Sequence, residues 1–139
     1  MFDLSSFLPY RLAVAAAAVS RDFAAIYRAK FGLSVPEWRI LAHLSQAGPV
    51  SVRDIHARVD MDKPKVSRAA ARLQRRGYVA KVDGTEDRRL VSLSLTPAGR
   101  RLVAKIVPEA RRFQARLEAR LGDRLAAFAD ALESLSAKR

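Results

Sequence analysis

The sequence predicts a mainly α fold with one small β-hairpin, an α+β chain in which helix dominates. Three observations lead there. Apolar residues recur at three- and four-residue steps over most of the 139 residues. Strict apolar–polar alternation is confined to one short stretch, 90–95. Turn chemistry falls between these segments, at Gly32, Gly48-Pro49, Gly77, Asp83-Gly84 and Gly122.

The first helix is expected over about 7–31, with Leu8, Leu12, Ala15, Val19, Phe23 and Ile26 on one stripe and Gly32 as its stop. Ser34-Val35-Pro36-Glu37 forms a capping box that opens a second helix to about Gln46, with Trp38, Leu41, Ala42 and Leu44 as its apolar face. Ser51 caps a short third helix, with Asp54 as its partner three residues on and Val52, Ile55 and Val59 inward. The fourth helix starts behind Asp62, tolerates Pro64 in its first turn and ends before Gly77. Its Val66, Ala70 and Leu73 share one side; Lys65, Arg68, Arg72, Arg75 and Arg76 share the opposite one.

Tyr78 to Val82 reads as a strand, and Val91, Leu93 and Leu95 line one face of a second. The loop between them is longer than a tight hairpin needs, so it should protrude. Thr96-Pro97 then starts a long helix carrying Leu102, Ile106, Ala110, Phe113, Leu117 and Leu121, with a kink expected at Pro108. Gly122 separates a last helix with Leu125, Phe128, Leu132 and Leu135 on its stripe.

Composition narrows the function classes. Half the residues are hydrophobic, enough for a core. The net charge is +12, from 26 Lys and Arg against 14 Asp and Glu, which favours polyanionic partners. There is no cysteine, so disulfides, thiolate metal sites and thiol redox sensing are excluded. His43 and His56 stand apart with no ligand cluster around them, and no metal or cofactor is expected. The apolar run from Leu12 to Ser20 is bracketed by Arg11 and Arg21, far short of the roughly 20 residues that span a bilayer. A packed helix running past any cleavage site explains it better than a leader, so a cytoplasmic protein without membrane association is expected.

The segment from Lys63 to Arg76 holds six basic residues and no acidic one. A plain solvated face would offset such repulsion with acids, so contact with DNA is the better reading. Helix, helix, basic helix, strand, protruding loop, strand is the winged helix-turn-helix order. The terminal stripes exceed what so small a core can cover, which asks for a second copy and a two-fold dimer. The chain is thus expected to be one domain, 1–139, with a DNA-binding lobe at 34–96 and dimerisation helices at 7–31 and 97–139.

Four pieces in this order resemble the MarR-type (multiple antibiotic resistance regulator) transcription factors, over nearly the whole chain. They are the stretch from Leu33 to Leu41 (LSVPEWRIL), Met61-Asp62-Lys63 leading to Val66-Ser67-Arg68, the stretch from Leu73 to Val79 (LQRRGYV), and Asp87-Arg88-Arg89 with Leu95-Thr96-Pro97-Ala98-Gly99. The resemblance implies a homodimer on double-stranded DNA, with the basic helix in the major groove and the wing in the minor groove. It puts Lys63, Pro64, Lys65, Ser67 and Arg68 at the base-facing start of the recognition helix, and Arg72 and Arg75 on phosphates. Ser51 and Arg53, at the start of the third helix, join the expected DNA contacts. Asp87 braces the wing, Arg89 enters the minor groove, and Arg88 stands where the family usually has a basic residue. Pro64 departs from the small or hydroxylated residue common there and offers no backbone donor to a phosphate.

Repression at a palindromic operator is the family default. Many members bind small aromatic acids or phenolic ligands between the dimerisation helices and the DNA-binding lobe, and Tyr10, Arg11, Trp38 and His43 are the residues that could line such a cleft. An ordinary hydrophobic hinge is the competing reading for those four. A non-specific architectural DNA binder is the main alternative for the whole chain. An enzyme is not expected, since no catalytic triad, paired carboxylates or phosphate-cradling glycine loop is visible.

Overall fold

A capped amphipathic helix becomes stable only when its apolar face finds cover, and the helices here differ in how much cover they find. The computed structural model describes residues 1–59, 61–82 and 91–137. Helix α1 (Leu8–Phe31) ends at Gly32, which adopts left-handed backbone with φ 64° and donates its N–H to the Arg28 carbonyl. Helix α2 (Val35–Ala47) opens with the full capping box: Ser34 Oγ accepts from Glu37 N at 3.3 Å, and Glu37 Oε1 accepts from Ser34 N at 3.1 Å.

A two-residue strand, β1 (Val50–Ser51), then leads into α3 (Val52–Arg58). The alternation pattern gave no sign of it, because two residues carry no period. Its place comes from pairing: Val50 lies opposite Leu93 and Ser51 opposite Ser92. A second difference lies at the α3 cap. Ser51 accepts from Arg53 N at 3.2 Å, and the expected box with Asp54 does not form.

Helix α4 (Lys63–Arg75) is capped by Asp62, whose carboxylate accepts from Lys65 N at 3.0 Å. Pro64 sits in the first turn, where its missing N–H deprives no intrahelical carbonyl. Strands β2 (Val79–Val82) and β3 (Ser92–Leu95) are antiparallel, and the sheet order is β1-β3-β2. The turn expected at Asp83-Gly84 and the rest of the wing tip lie outside the described residues.

Thr96 caps α5 (Pro97–Leu121) and ties it to the end of α4, donating from Oγ1 to the Gly77 carbonyl at 2.6 Å. The helix passes through Pro108 without interruption. Pro108 and Ala104, whose carbonyl loses its usual donor, are both exposed, so water can serve that carbonyl. Helix α6 (Leu125–Ser136) completes the chain after Gly122.

One core joins the C-terminal end of α1 to α2, α3, α4, β3 and the start of α5. Tyr27, Leu33, Ile40, Leu41, Ile55, Leu73, Leu93 and Ile106 are its fully buried large side chains, and each contributes roughly 1.5–3 kcal/mol of burial. Away from it, burial stops. Before Phe23, α1 buries nothing, α5 buries nothing after Ile106, and α6 buries nothing at all. Lys30 of α1 and Arg112 of α5 both pair with Glu109, and the Lys30 ammonium in particular holds that carboxyl below its ordinary range.

Candidate nucleic-acid interface

The face of α4 turned to the core is apolar: Val66, Ala69, Ala70 and Leu73 are buried. The alternate face begins with Lys63, Pro64, Lys65, Ser67 and Arg68, all exposed. Because the helix interior pins one side, these five form a fixed rather than a floppy array, directed outward from the helix N-terminus. Positive helix-dipole charge adds to their cations there. Arg75, the last residue of the helix, is also exposed. Arg53 is exposed in the first turn of α3, and the half-buried Ser51 spends its hydroxyl on capping that turn.

Arg72 departs from the expected outward face. Its Nε lies 3.7 Å from Glu37 Oε1, and its Nη2 donates to Ser34 Oγ at 3.4 Å. Arg76 turns inward too: Nη1 reaches Glu37 Oε2 at 3.4 Å and the Gly32 carbonyl at 3.0 Å, while Nη2 reaches the Phe31 carbonyl at 3.1 Å. The physical reason is Glu37, which is 4% exposed and needs cationic partners once out of water. A helical wheel counts Arg72 and Arg76 with the cationic face; a buried carboxylate across the helix junction recruits them to the core side. The wing residues Asp87, Arg88 and Arg89 lie outside the described residues.

The four residues considered for a ligand cleft separate. Trp38 and His43 line a cavity of about 460 Å³ bounded by α2, the end of α3 and Val103 and Val107 of α5. Tyr10 and Arg11 lie on the exposed first turn of α1 and do not line it. Arg39 and Arg58 line it instead, adding two basic residues to His43, and Arg39 Nη1 donates to the Val59 carbonyl at 3.5 Å. Arg39 was readable from sequence, since it lies four residues before His43 on one helix face. Arg58 was not, because only the tertiary arrangement that brings the end of α3 beside α2 places it there. Trp38 also joins an aromatic cluster, with its ring 5.4 Å from Phe23 and 5.8 Å from Tyr27. Among the described residues no cluster of His, Asp or Glu could hold a metal, and no helix is long and apolar enough to cross a membrane.

This arrangement is shared with known proteins. Residues 31–90 match the sequence model of the MarR family. Over 97% of its length the chain also superposes on the MarR family transcriptional regulator SPO1453 from Silicibacter pomeroyi DSS-3, with a TM-score of 0.79, 29% identity and 98% of that chain covered. By sequence over residues 31–90 and by fold over nearly its whole length, the chain is similar to the MarR family. Its MarR fold is seen again in the structure of NadR in complex with 4-hydroxyphenylacetate, with a TM-score of 0.81 at 24% identity, covering 96% of this chain and 95% of that one. The HTH-type transcriptional repressor MdtR of Bacillus subtilis (strain 168) is 33% identical over 70 residues, which is 50% of this chain and 45% of the repressor. That match therefore spans less than half of MdtR.

Proposed function

We propose that this MarR-like chain is a homodimeric, sequence-specific DNA-binding transcriptional regulator of the cytoplasm, acting as a repressor at a palindromic operator. The observation that carries the reading is the exposed array of Lys63, Lys65, Ser67 and Arg68 on a helix whose other face is locked in the core. Side chains so held can meet base edges in the major groove, while Arg75 and Arg53 reach phosphates. To Arg89, with Asp87 and Arg88 beside it in sequence, the resemblance assigns the neighbouring minor groove. Two such helices about 34–36 Å apart would read two half-sites one helical turn apart.

The dimer is supported by unfilled apolar surface. Leu8, Leu12, Val14 and Val19 of α1 and Phe128, Leu132 and Leu135 of α6 are exposed, a pattern rarely left to water in a soluble monomer. These ends of the chain, 7–31 and 97–139, serve as dimerisation helices around the 34–96 lobe.

The cavity at Trp38 and His43 is the proposed effector site. Arg39 and Arg58 supply charge for a carboxylate, and Trp38 supplies an aromatic wall, so a small aryl acid or phenol fits its chemistry. The 4-hydroxyphenylacetate named for NadR is of that class. Titration calorimetry with a panel of such acids tests it; no heat and unchanged DNA binding would remove the effector.

Selection of bound sequences from random DNA tests the main proposal, followed by competition against bulk genomic DNA. A regulator recovers a palindrome and prefers it by a factor on the order of a thousand or more. With +12 of net charge a coating protein would bind too, but it would recover no motif and show no preference. That result would replace the regulator with an architectural DNA binder.

A further inference from the structure

Glu37 is the buried charged residue of the described core, and every group that pairs with it belongs to a junction between three helices. Its carboxylate accepts from Ser34 N at the start of α2, and it pairs with Arg72 and Arg76 of the α4 end. Arg76 extends the junction to α1 by donating to the Phe31 and Gly32 carbonyls, the last acceptors of that helix. Its guanidinium also lies 5.2 Å from the centroid of the Tyr78 ring. Arg76 thus satisfies acceptors on two helices with one planar fork, a task the point charge of lysine cannot perform.

We propose that Glu37 and Arg76 are positioning residues that fix the angle of the recognition helix against α1 and thereby set the half-site spacing the dimer accepts. This rests on the dimeric DNA-binding reading above. The lever arm makes the claim physical. Helix α4 is 13 residues long, about 20 Å, with its anchor at the Arg76 end and its base-facing residues at the Lys63 end. A tilt of about 5° at the anchor moves the Lys63 end by nearly 2 Å. That is about half of the roughly 3.4 Å between successive base pairs. The two-fold axis doubles the change in separation between recognition helices. Apolar packing by Val66, Ala69, Ala70 and Leu73 holds α4 against the core but is non-directional. The ion network supplies direction, because a carboxylate and a guanidinium fork are satisfied only in a narrow geometry.

The test is selection from random DNA with three full-length proteins: wild type, Glu37→Gln and Arg76→Lys. Glutamine keeps the acceptor that the capping box needs and removes the charge that holds the two arginines. Lysine keeps the charge and removes the fork. Wild type is expected to return one half-site spacing; both variants are expected to return a spread of two or more, with preference over bulk genomic DNA reduced about tenfold. If Glu37→Gln does not fold, Arg76→Lys at the surface of the junction carries the comparison alone. A variant with lower thermal stability but the wild-type spacing and preference overturns the inference, because the network would then be structural only. A wild type that returns no palindrome overturns this inference together with the regulator reading, whereas unchanged variants beside a specific wild type overturn this inference alone.

Discussion

A β-carbon added to Gly99 would lie 2.0 Å from the carbonyl oxygen of Tyr78. The first turn of α5 therefore rests directly on the backbone that leaves α4, with no room for a side chain between them. Thr96 reinforces the seat, donating from its N–H to the same Tyr78 carbonyl at 3.1 Å and accepting from Gly99 N at 3.0 Å. The join matters because α5 leads on to α6, whose apolar residues are exposed, and α4 carries the cations.

Gly99→Ala should consequently destabilise the protein by roughly 1–3 kcal/mol or more, since the obstructing atoms are backbone rather than a flexible side chain. Urea unfolding followed by circular dichroism measures it. An alanine variant with the wild-type midpoint would show that α5 can lift from Tyr78 freely.

The same glycine marks where sequence reading ran out. Thr96 and Pro97 announce the start of α5 through local chemistry, capping and a fixed φ, and the capping box at Ser34 and Glu37 does the same for α2. Nothing local says that Gly99 touches Tyr78, because that approach depends on three elements meeting. Arg72 and Arg76 teach the same point. Helical periodicity assigns them to the cationic face, but a carboxylate 39 residues from Arg76 draws both inward. Strand β1 was hidden for a different reason: two residues show no alternation, and only Leu93 and Ser92 define their partners. By contrast, Lys63, Lys65 and Arg68 were legible because an exposed face of a strongly amphipathic helix is a local property.

Arg68 and Arg72 should accordingly behave differently when truncated. Arg68→Ala removes an exposed cation near the base-facing end, so operator affinity should fall by roughly 1–3 kcal/mol with little change in stability. Arg72→Ala removes a partner of buried Glu37 and should lower stability, leaving the salt dependence of binding nearly unaltered. Fluorescence anisotropy across salt concentrations, paired with thermal melts, separates the two. Equal salt slopes and equal melting points for both variants would contradict the inward placement of Arg72.

Glu109 gives a prediction in pH. Hydrogen bonding from Lys30, with Arg112 adding to it, lowers its carboxyl from an ordinary value of 4.5. A depressed folded-state pKa means that the unfolded chain binds the proton first as pH falls. The pairing of α1 with α5 should therefore stabilise fully above about pH 4.5 and fade as pH drops through the lowered folded value. Wild type and Glu109→Gln compared by melting temperature should differ at neutral pH and converge in strong acid. A gap that persists unchanged at low pH would assign the effect to packing instead.

Leu132→Glu probes the proposed dimer without touching the core. Leu132 is 41% exposed, and α6 buries no residue within the protomer, so the substitution should leave the monomer fold intact. In a dimer the new carboxylate would be forced into an apolar interface without a partner, a cost of several kcal/mol. Sedimentation at micromolar concentration should then show a monomer where wild type gives a dimer. Operator affinity should collapse with it, because one recognition helix held to one half-site loses the second set of contacts that tethering supplies at high effective concentration. Near-UV circular dichroism on the aromatic cluster of Phe23, Tyr27 and Trp38 reports whether the lobe survives. A Leu132→Glu protein that still sediments as a dimer would move the interface away from α6 and onto α1 alone.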